Sequence, residues 1–197
     1  MKELRTYTVL SLTIRTFFIR IFYNYLNLFG EGLCFCLFPA LGNDRSEFIR
    51  KHLRFFNTNE YLSGFALGII LNRELNNNDE SVEKTKEILS SVIGSIGDRL
   101  VYKLILPVII LTALNKFVIS GFAIDTCTVI IVFSEILLFN IFNFIIRFYG
   151  IRSGYEKGIE AIKIFKSGTY RRIVYLLTLF RNLLVLSLII NLILLNI

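Results

Sequence analysis

The sequence predicts an all-α fold: a polytopic helical membrane protein with an N-terminal amphipathic helix, re-entrant or short helices and about three spanning helices. Composition, run length and charge placement carry that expectation. Of 197 residues, 54% are hydrophobic and only 19% charged, where a soluble domain has roughly 45–50% apolar residues and about a quarter charged. Several apolar runs approach the ~20 residues that cross a bilayer as a helix. The net charge of +7 sits mainly between those runs, where the positive-inside rule places it, and no nucleic-acid recognition motif accompanies it.

Residues 5–29 mix Arg5, Arg15 and Arg20 with Leu, Ile, Phe and Tyr. This pattern suits an amphipathic helix in the plane of the membrane interface. Residues 26–41 are apolar, contain Pro39 and are short for a span. Residues 43–60 are charged, from Asp44 and Arg45 to Glu60, and read as water-facing. The run 61–71 is far too short to cross a bilayer, so it reads as a buried helix or a re-entrant element. Its Gly64 and Gly68 stand four apart on one helix face and permit close backbone approach. The polar patch Asn76-Asn77-Asn78-Asp79-Glu80 separates two halves, and Ile88, Leu89, Val92 and Ile93 then recur at helical spacing.

The spans are expected at 100–121, 126–146 and 173–197. The first holds Lys103, Pro107 and Lys116. Lysines near helix ends can snorkel, and a proline is tolerated where neighbours re-satisfy the backbone. The chain thus divides into an amphipathic and re-entrant cytoplasmic-side region, 1–99, and a transmembrane region, 100–197, with a basic cytoplasmic loop at 147–172. That loop puts the N-terminus in the cytoplasm and the C-terminus outside. Cys34, Cys36 and Cys127 read as small buried hydrophobes, and one histidine with three cysteines gives no metal set. No signal peptide is evident at the N-terminus.

Several polar groups lie beside or within the greasy segments, where such groups are expensive and usually functional. His52, the only histidine, fits a phosphoryl acceptor, a proton relay or an interfacial histidine that orders the next turn. Asn57 and Thr58 can donate and accept at once, as a sugar hydroxyl requires; equally, one of them can cap a helix starting near Tyr61. Glu74 closes the short apolar run. Asp98 closes Gly94-Ser-Ile-Gly97-Asp98, either as a carboxylate at the mouth of a cavity or as a plain turn. Glu135 and Asn140 lie inside the second span and should face protein or a cavity. Residues 149–163 are glycine-punctuated, as if to pack on another element. No catalytic triad, nucleophile elbow or Walker motif is present.

Four linked motifs carry a resemblance over roughly residues 13–185. They are His52-Leu-Arg-Phe-Phe-Asn-Thr58 with the glycine-spaced run to Glu74, Ile93-Gly-Ser-Ile-Gly-Asp98, Pro107, and Arg147-Phe-Tyr-Gly-Ile-Arg-Ser-Gly-Tyr-Glu-Lys-Gly158. In order and separation they resemble the IID component of the mannose/fructose/sorbose phosphotransferase system (PTS), in a shortened form. The resemblance implies a membrane translocation subunit that forms the sugar path with a IIC subunit. Cytoplasmic IIA and IIB components, fed from the phosphocarrier HPr, phosphorylate the hexose as it emerges. It places Asn57, Thr58, Glu74 and Asp98 near the substrate, with His52, Gly94, Gly97 and Asn140 structural or gating. The subunit itself is neither phosphorylated nor catalytic and takes no metal or cofactor. It implies a hetero-oligomer in the plasma membrane. The sequence departs from the family at Asn59-Glu60, where His-Pro is usual, at Leu106, where an arginine is usual, and in lacking tryptophan. The alternative reading is a non-transporting regulatory or scaffolding paralogue.

Overall fold

The computed structural model describes residues 4–41, 45–75 and 79–195. Asp44 and the Asn76-Asn77-Asn78 part of the polar patch lie outside the described residues. Eight α-helices follow in order among those described: α1 Thr6–Thr16, α2 Gly30–Leu41, α3 Arg45–His52, α4 Ser63–Leu75, α5 Asp79–Gly97, α6 Leu106–Ile119, α7 Thr126–Lys157 and α8 Gly168–Leu195. Short 3-10 stretches, Ile19–Phe22 and Gly158–Lys166, and a π-helical stretch, Asp98–Ile105, link them. Among the described residues, three helical runs are long and apolar enough to span a membrane: Val82–Ile119, Thr126–Lys166 and Gly168–Leu195. Only 6% of the apolar window is buried in each of the last two, so lipid or a partner must cover them. Packing divides the chain into one unit of Met1–Gly97 with Asn143–Ile164 and another of Asp98–Phe142 with Phe165–Ile197.

In the first unit, α4 is the core element. Every residue from Ser63 to Leu71 is buried, which settles the short run as a helix enclosed by protein. Its glycines explain how. A Cβ on Gly64 would stand 2.4 Å from the Arg147 carbonyl oxygen, and one on Gly68 2.3 Å from that of Ile151. The α7 side is cut to match: Cβ atoms on Gly150 and Gly154 would both lie 2.8 Å from Phe65 atoms. Small residues on both faces let the two backbones approach closely. The basic stretch 147–172, expected as a loop, is therefore helical as far as Lys166; its glycine face is needed for packing, and its basic side chains other than Arg147 are exposed. Asn72 Nδ2 donates to the Tyr155 carbonyl at 2.6 Å and ties the far end of the same seam.

The helical part of the N-terminal stretch is Thr6–Thr16, which buries Val9 and Leu12 and exposes Tyr7, Leu10 and Ile14. Two of its arginines make polar contacts within the protein, although Arg20 stays exposed. Arg15 Nη1 donates to the Phe35 carbonyl at 3.1 Å with its guanidinium over the Phe35 ring, and Arg20 pairs with Glu60 at 2.5 Å.

In the second unit, α6 packs along α8. Leu100, Leu104 and Val174 form a small buried cluster with Ile105, Tyr170 and Leu177 around it. Pro107 has no N–H to offer the carbonyl four residues back, and Arg181 on α8 donates to that Lys103 carbonyl at 3.0 Å. Farther along, Asn115 Nδ2 donates to the Leu184 carbonyl at 3.0 Å, while its Oδ1 accepts from Asn191 at 3.3 Å. These are the interhelical polar bonds that hold apolar helices where water gives no driving force. Asp125 caps α7: its Oδ1 accepts the Thr128 hydroxyl at 2.5 Å and the Thr128 amide at 2.7 Å. The Thr128 hydroxyl first, then the Thr128 amide, hold the Asp125 carboxyl at about 2. Cys36 is buried and Cys34 half-buried, but Cys127 is exposed on the first turn of α7, contrary to the expectation of buried cysteines.

Gly68→Ala should destabilise the chain by ~1–3 kcal/mol, the usual cost of overpacking, because backbone rather than a flexible side chain opposes the new methyl. A thermal unfolding midpoint in detergent equal to that of the unsubstituted chain would disprove the seam.

Candidate functional site

The polar residues singled out in the sequence fall into two clusters in the first unit and three separate positions in the second. The first cluster forms where α3 ends. Its last carbonyls lack helical partners, and Lys86 of α5, itself buried, donates to the Lys51 carbonyl at 3.0 Å. Next to it His52 is 1% exposed, its ring 4.8 Å from that of Phe48. His52 Nε2 lies 3.2 Å from Glu74 Oε1, while Lys51 Nζ donates to Glu74 Oε2 at 2.9 Å. The histidine approach has the length of a hydrogen bond but falls short of its alignment, so Oε1, like His52 Nδ1, is buried without a hydrogen-bond partner. Burial pushes the His52 imidazole below its ordinary 6.5, overriding the pull of Glu74. Burial also pushes the Glu74 carboxyl up, but His52 and Lys51 outweigh it and the net shift is downward. The pair is therefore a neutral imidazole facing a carboxylate.

The second cluster is the segment between Phe56 and α4. Phe56 is buried and anchors it. Asn57 is exposed, and its amide donates to Ser90 Oγ at 3.2 Å. Thr58 is 5% exposed, with its Oγ1 buried and unpartnered. The helix cap expected from Asn57 or Thr58 is instead supplied by Asn59. Its Oδ1 accepts the Tyr61 and Leu62 amides at 3.1 and 3.4 Å, and α4 begins at Ser63. This releases Asn57 and Thr58 from capping. Gly97 lies against Asn59, and a Cβ there would come 2.3 Å from Asn59 Cβ. Gly94 faces open space. So of the two glycines of the Gly-Asp corner, one is required by packing.

Asp98 is exposed at the start of the π-helical stretch, where the second unit begins. Such stretches are rare and recur at functional sites. Asn140 is exposed on α7, and its Nδ2 donates to the Ile136 carbonyl of its own helix at 2.8 Å. Glu135 is half-buried and interacts with Thr112.

Two residues escaped the sequence reading. Lys86 looked like one charge on an amphipathic helix. Arg147 looked like a loop cation, yet it is 3% exposed. Its Nε donates to Asn143 Oδ1 at 2.7 Å, its Nη1 to the Thr16 carbonyl at 2.5 Å, and its guanidinium lies over Phe17 and Tyr61. The available signal was Asn143, one helical turn earlier and thus on the same face.

Gly97→Ala should lower stability by forcing Asn59 off its cap, a loss of ~0.5–2 kcal/mol. Gly94→Ala should be neutral or gain up to ~1 kcal/mol from helix propensity. Equal melting temperatures for the two variants would contradict the packing at Asn59. Because folded His52 resists protonation while the unfolded chain takes up a proton near the ordinary histidine pKa, stability in detergent should fall as pH drops from about 7.5 to about 5.5. His52→Gln should flatten that slope; an unchanged slope would assign it to other groups.

Comparison with known proteins bears on this arrangement. The family described as the PTS system mannose/fructose/sorbose family IID component matches residues 3–197. The mannose-specific EIID component of Escherichia coli K12 is 27% identical over 165 residues, covering 77% of this chain and 56% of that protein. The fructose permease IID component of Bacillus subtilis is 27% identical over 177 residues, covering 82% of this chain and 61% of the relative. The chain thus spans little more than half the length of these relatives. Among solved structures, a cryoEM structure of the mannose transporter ManYZ in complex with microcin E492 aligns with TM-score 0.66 at 22% identity, over 95% of this chain and 71% of that one. A second membrane protein aligns with TM-score 0.77 at the same identity and coverage. At that identity the two structures speak for the fold. With a match over nearly its whole length, the chain belongs to the mannose/fructose/sorbose family of PTS IID components.

Proposed function

We propose that this chain is the translocation subunit of a mannose-class sugar phosphotransferase system. It forms the sugar path with a IIC subunit, while IIA and IIB components, supplied through HPr, phosphorylate the hexose as it emerges. Asn57, Thr58, Glu74 and Asp98 contact the sugar, and His52, Gly94, Gly97 and Asn140 hold or gate the path. The N-terminus and the basic stretch 147–172 lie on the cytoplasmic side of the plasma membrane.

The observation that supports the reading best is Thr58: a buried hydroxyl without a partner, next to an exposed amide side chain that no longer has to cap a helix. A buried polar atom left unpaired costs free energy, and a ligand hydroxyl would satisfy it. The unpaired Nδ1 of neutral His52 is a further group of this kind, and Glu74 Oε1, approached by His52 Nε2 at 3.2 Å, lies beside it. Alternating donors and acceptors of this sort suit sugar hydroxyls.

A second reading, a non-transporting regulatory or scaffolding paralogue, draws on Asn59-Glu60. Where relatives carry His-Pro, this chain has a capping amide and a carboxylate bound to Arg20.

Co-expression with IIC and IIAB proteins in a host lacking its own mannose-class system should give uptake of a hexose as its phosphate. Asp98→Asn should reduce that uptake with normal membrane levels. Normal uptake by the variant, or IIC co-purification without phosphorylation of any hexose tested, would favour the paralogue.

A further inference from the structure

Residues 24–28 form a tight turn that follows the 3-10 stretch. Asn24 and Leu28 exchange two backbone hydrogen bonds, at 3.2 and 2.9 Å. Asn24 Oδ1 accepts the amides of Leu26 and Asn27 at 2.9 and 3.0 Å, and Asn24 Nδ2 donates to Asn27 Oδ1 at 2.8 Å. The base is fastened to the chain around Phe56: the Phe29 amide donates to the Phe56 carbonyl at 2.9 Å, and the Phe56 amide to the Asn27 carbonyl at 3.2 Å. The Gly30 amide also donates to the Asn27 carbonyl, at 2.9 Å. Every backbone amide from Leu26 to Gly30 is thus bonded inside the protein. Leu28 holds a left-handed φ of 54°, a conformation that a leucine keeps only where its surroundings over-determine it.

What this frame presents is apolar. Tyr25 is 93% exposed and Leu26 92%. Ile21, just before the turn, is also largely exposed, and Tyr23 packs edge-on between Tyr25 and Phe29. A polar surface turn normally leaves amides for water and offers Gly, Asn, Asp or Ser at its tip. This turn does the reverse on both counts.

We propose that residues 24–28 are a membrane-interface anchor, with Leu26 entering the acyl boundary and Tyr25 lying at headgroup depth. Two features select lipid over water or a protein groove. Backbone that enters a poorly hydrated layer must satisfy its polar groups internally, and this turn does so for every amide from Leu26 to Gly30. Tyrosine beside an aliphatic residue is the pairing found where one end of a side chain is wet and the other apolar. The proposal is independent of the sugar path and stands for the transporting and the non-transporting readings alike.

The chain has no tryptophan, so a tryptophan at the tip is a clean reporter. Tyr25→Trp and Leu26→Trp would be placed separately in the full chain, purified with its co-purifying membrane partner and reconstituted into phosphatidylcholine vesicles. The emission of each is read as the difference from the unsubstituted complex. The expected result is loss of most of that emission with lipids brominated on the upper acyl carbons, a blue-shifted maximum, and little quenching by aqueous iodide. Iodide quenching without bromolipid quenching would place the turn in water and overturn the proposal. So would shielding from both quenchers, which would put a protein partner on it. Asn24→Ala in the Leu26→Trp background should weaken bromolipid quenching, because the tip amides then need water; unchanged quenching would refute the role given to the self-bonded backbone.

Discussion

The first unit depends on two backbones lying almost in contact. α4 and the latter half of α7 meet through glycines on both sides, so each helix presents mainly backbone atoms to the other. Once that approach is made, the positions of everything fastened to either helix follow. The Asn59 cap at the head of α4 fixes Asn57 and Thr58. Glu74, in the last turn of the same helix, fixes His52 and Lys51. Arg147, at the glycine-marked face of α7, fixes the end of α1. A methyl group in the seam would therefore disturb several polar positions at once, although of them it touches only Arg147, through its backbone.

Around that seam the unit carries more buried polarity than packing alone requires. Lys86, His52, Thr58, Asn59, Glu60 and Arg147 are all buried. Burying such groups is costly unless each finds a partner, and most do. Lys86 has a helix-end carbonyl, Arg147 has an amide oxygen, a carbonyl and two aromatic faces, and Glu60 has Arg20. Thr58 Oγ1 and His52 Nδ1 do not. Those two open atoms are the ones the proposed sugar contact would complete.

Much of this was legible in the residues. Run length and hydropathy gave three spans and two short apolar helices, and the structure has them. Gly64 and Gly68 announced a close helix contact, and the glycine-punctuated stretch after Arg147 announced its partner, though spacing could not say that the two would meet. The helical ends were harder. The spans extend well into charged sequence, because an amphipathic stretch keeps its helix where one face is packed, and hydropathy counts only the other face. The cap fell to Asn59 because three adjacent polar residues compete for that role and only the geometry of the preceding Phe56 anchor decides. Lys86 and Arg147 were invisible as buried groups, since a cation among apolar residues looks the same in sequence whether it snorkels out or is drawn in.

The bond from Arg147 to the Thr16 carbonyl joins positions 131 residues apart. A ribosome emits the chain from its N-terminus at about 5–20 residues per second, so the end of α1 is made several seconds before the guanidinium that completes it. During that interval the early segment has its aromatic side chains uncovered and one carbonyl unmet. Closure of that early segment therefore waits on the long seventh helix, whose guanidinium supplies the missing bond.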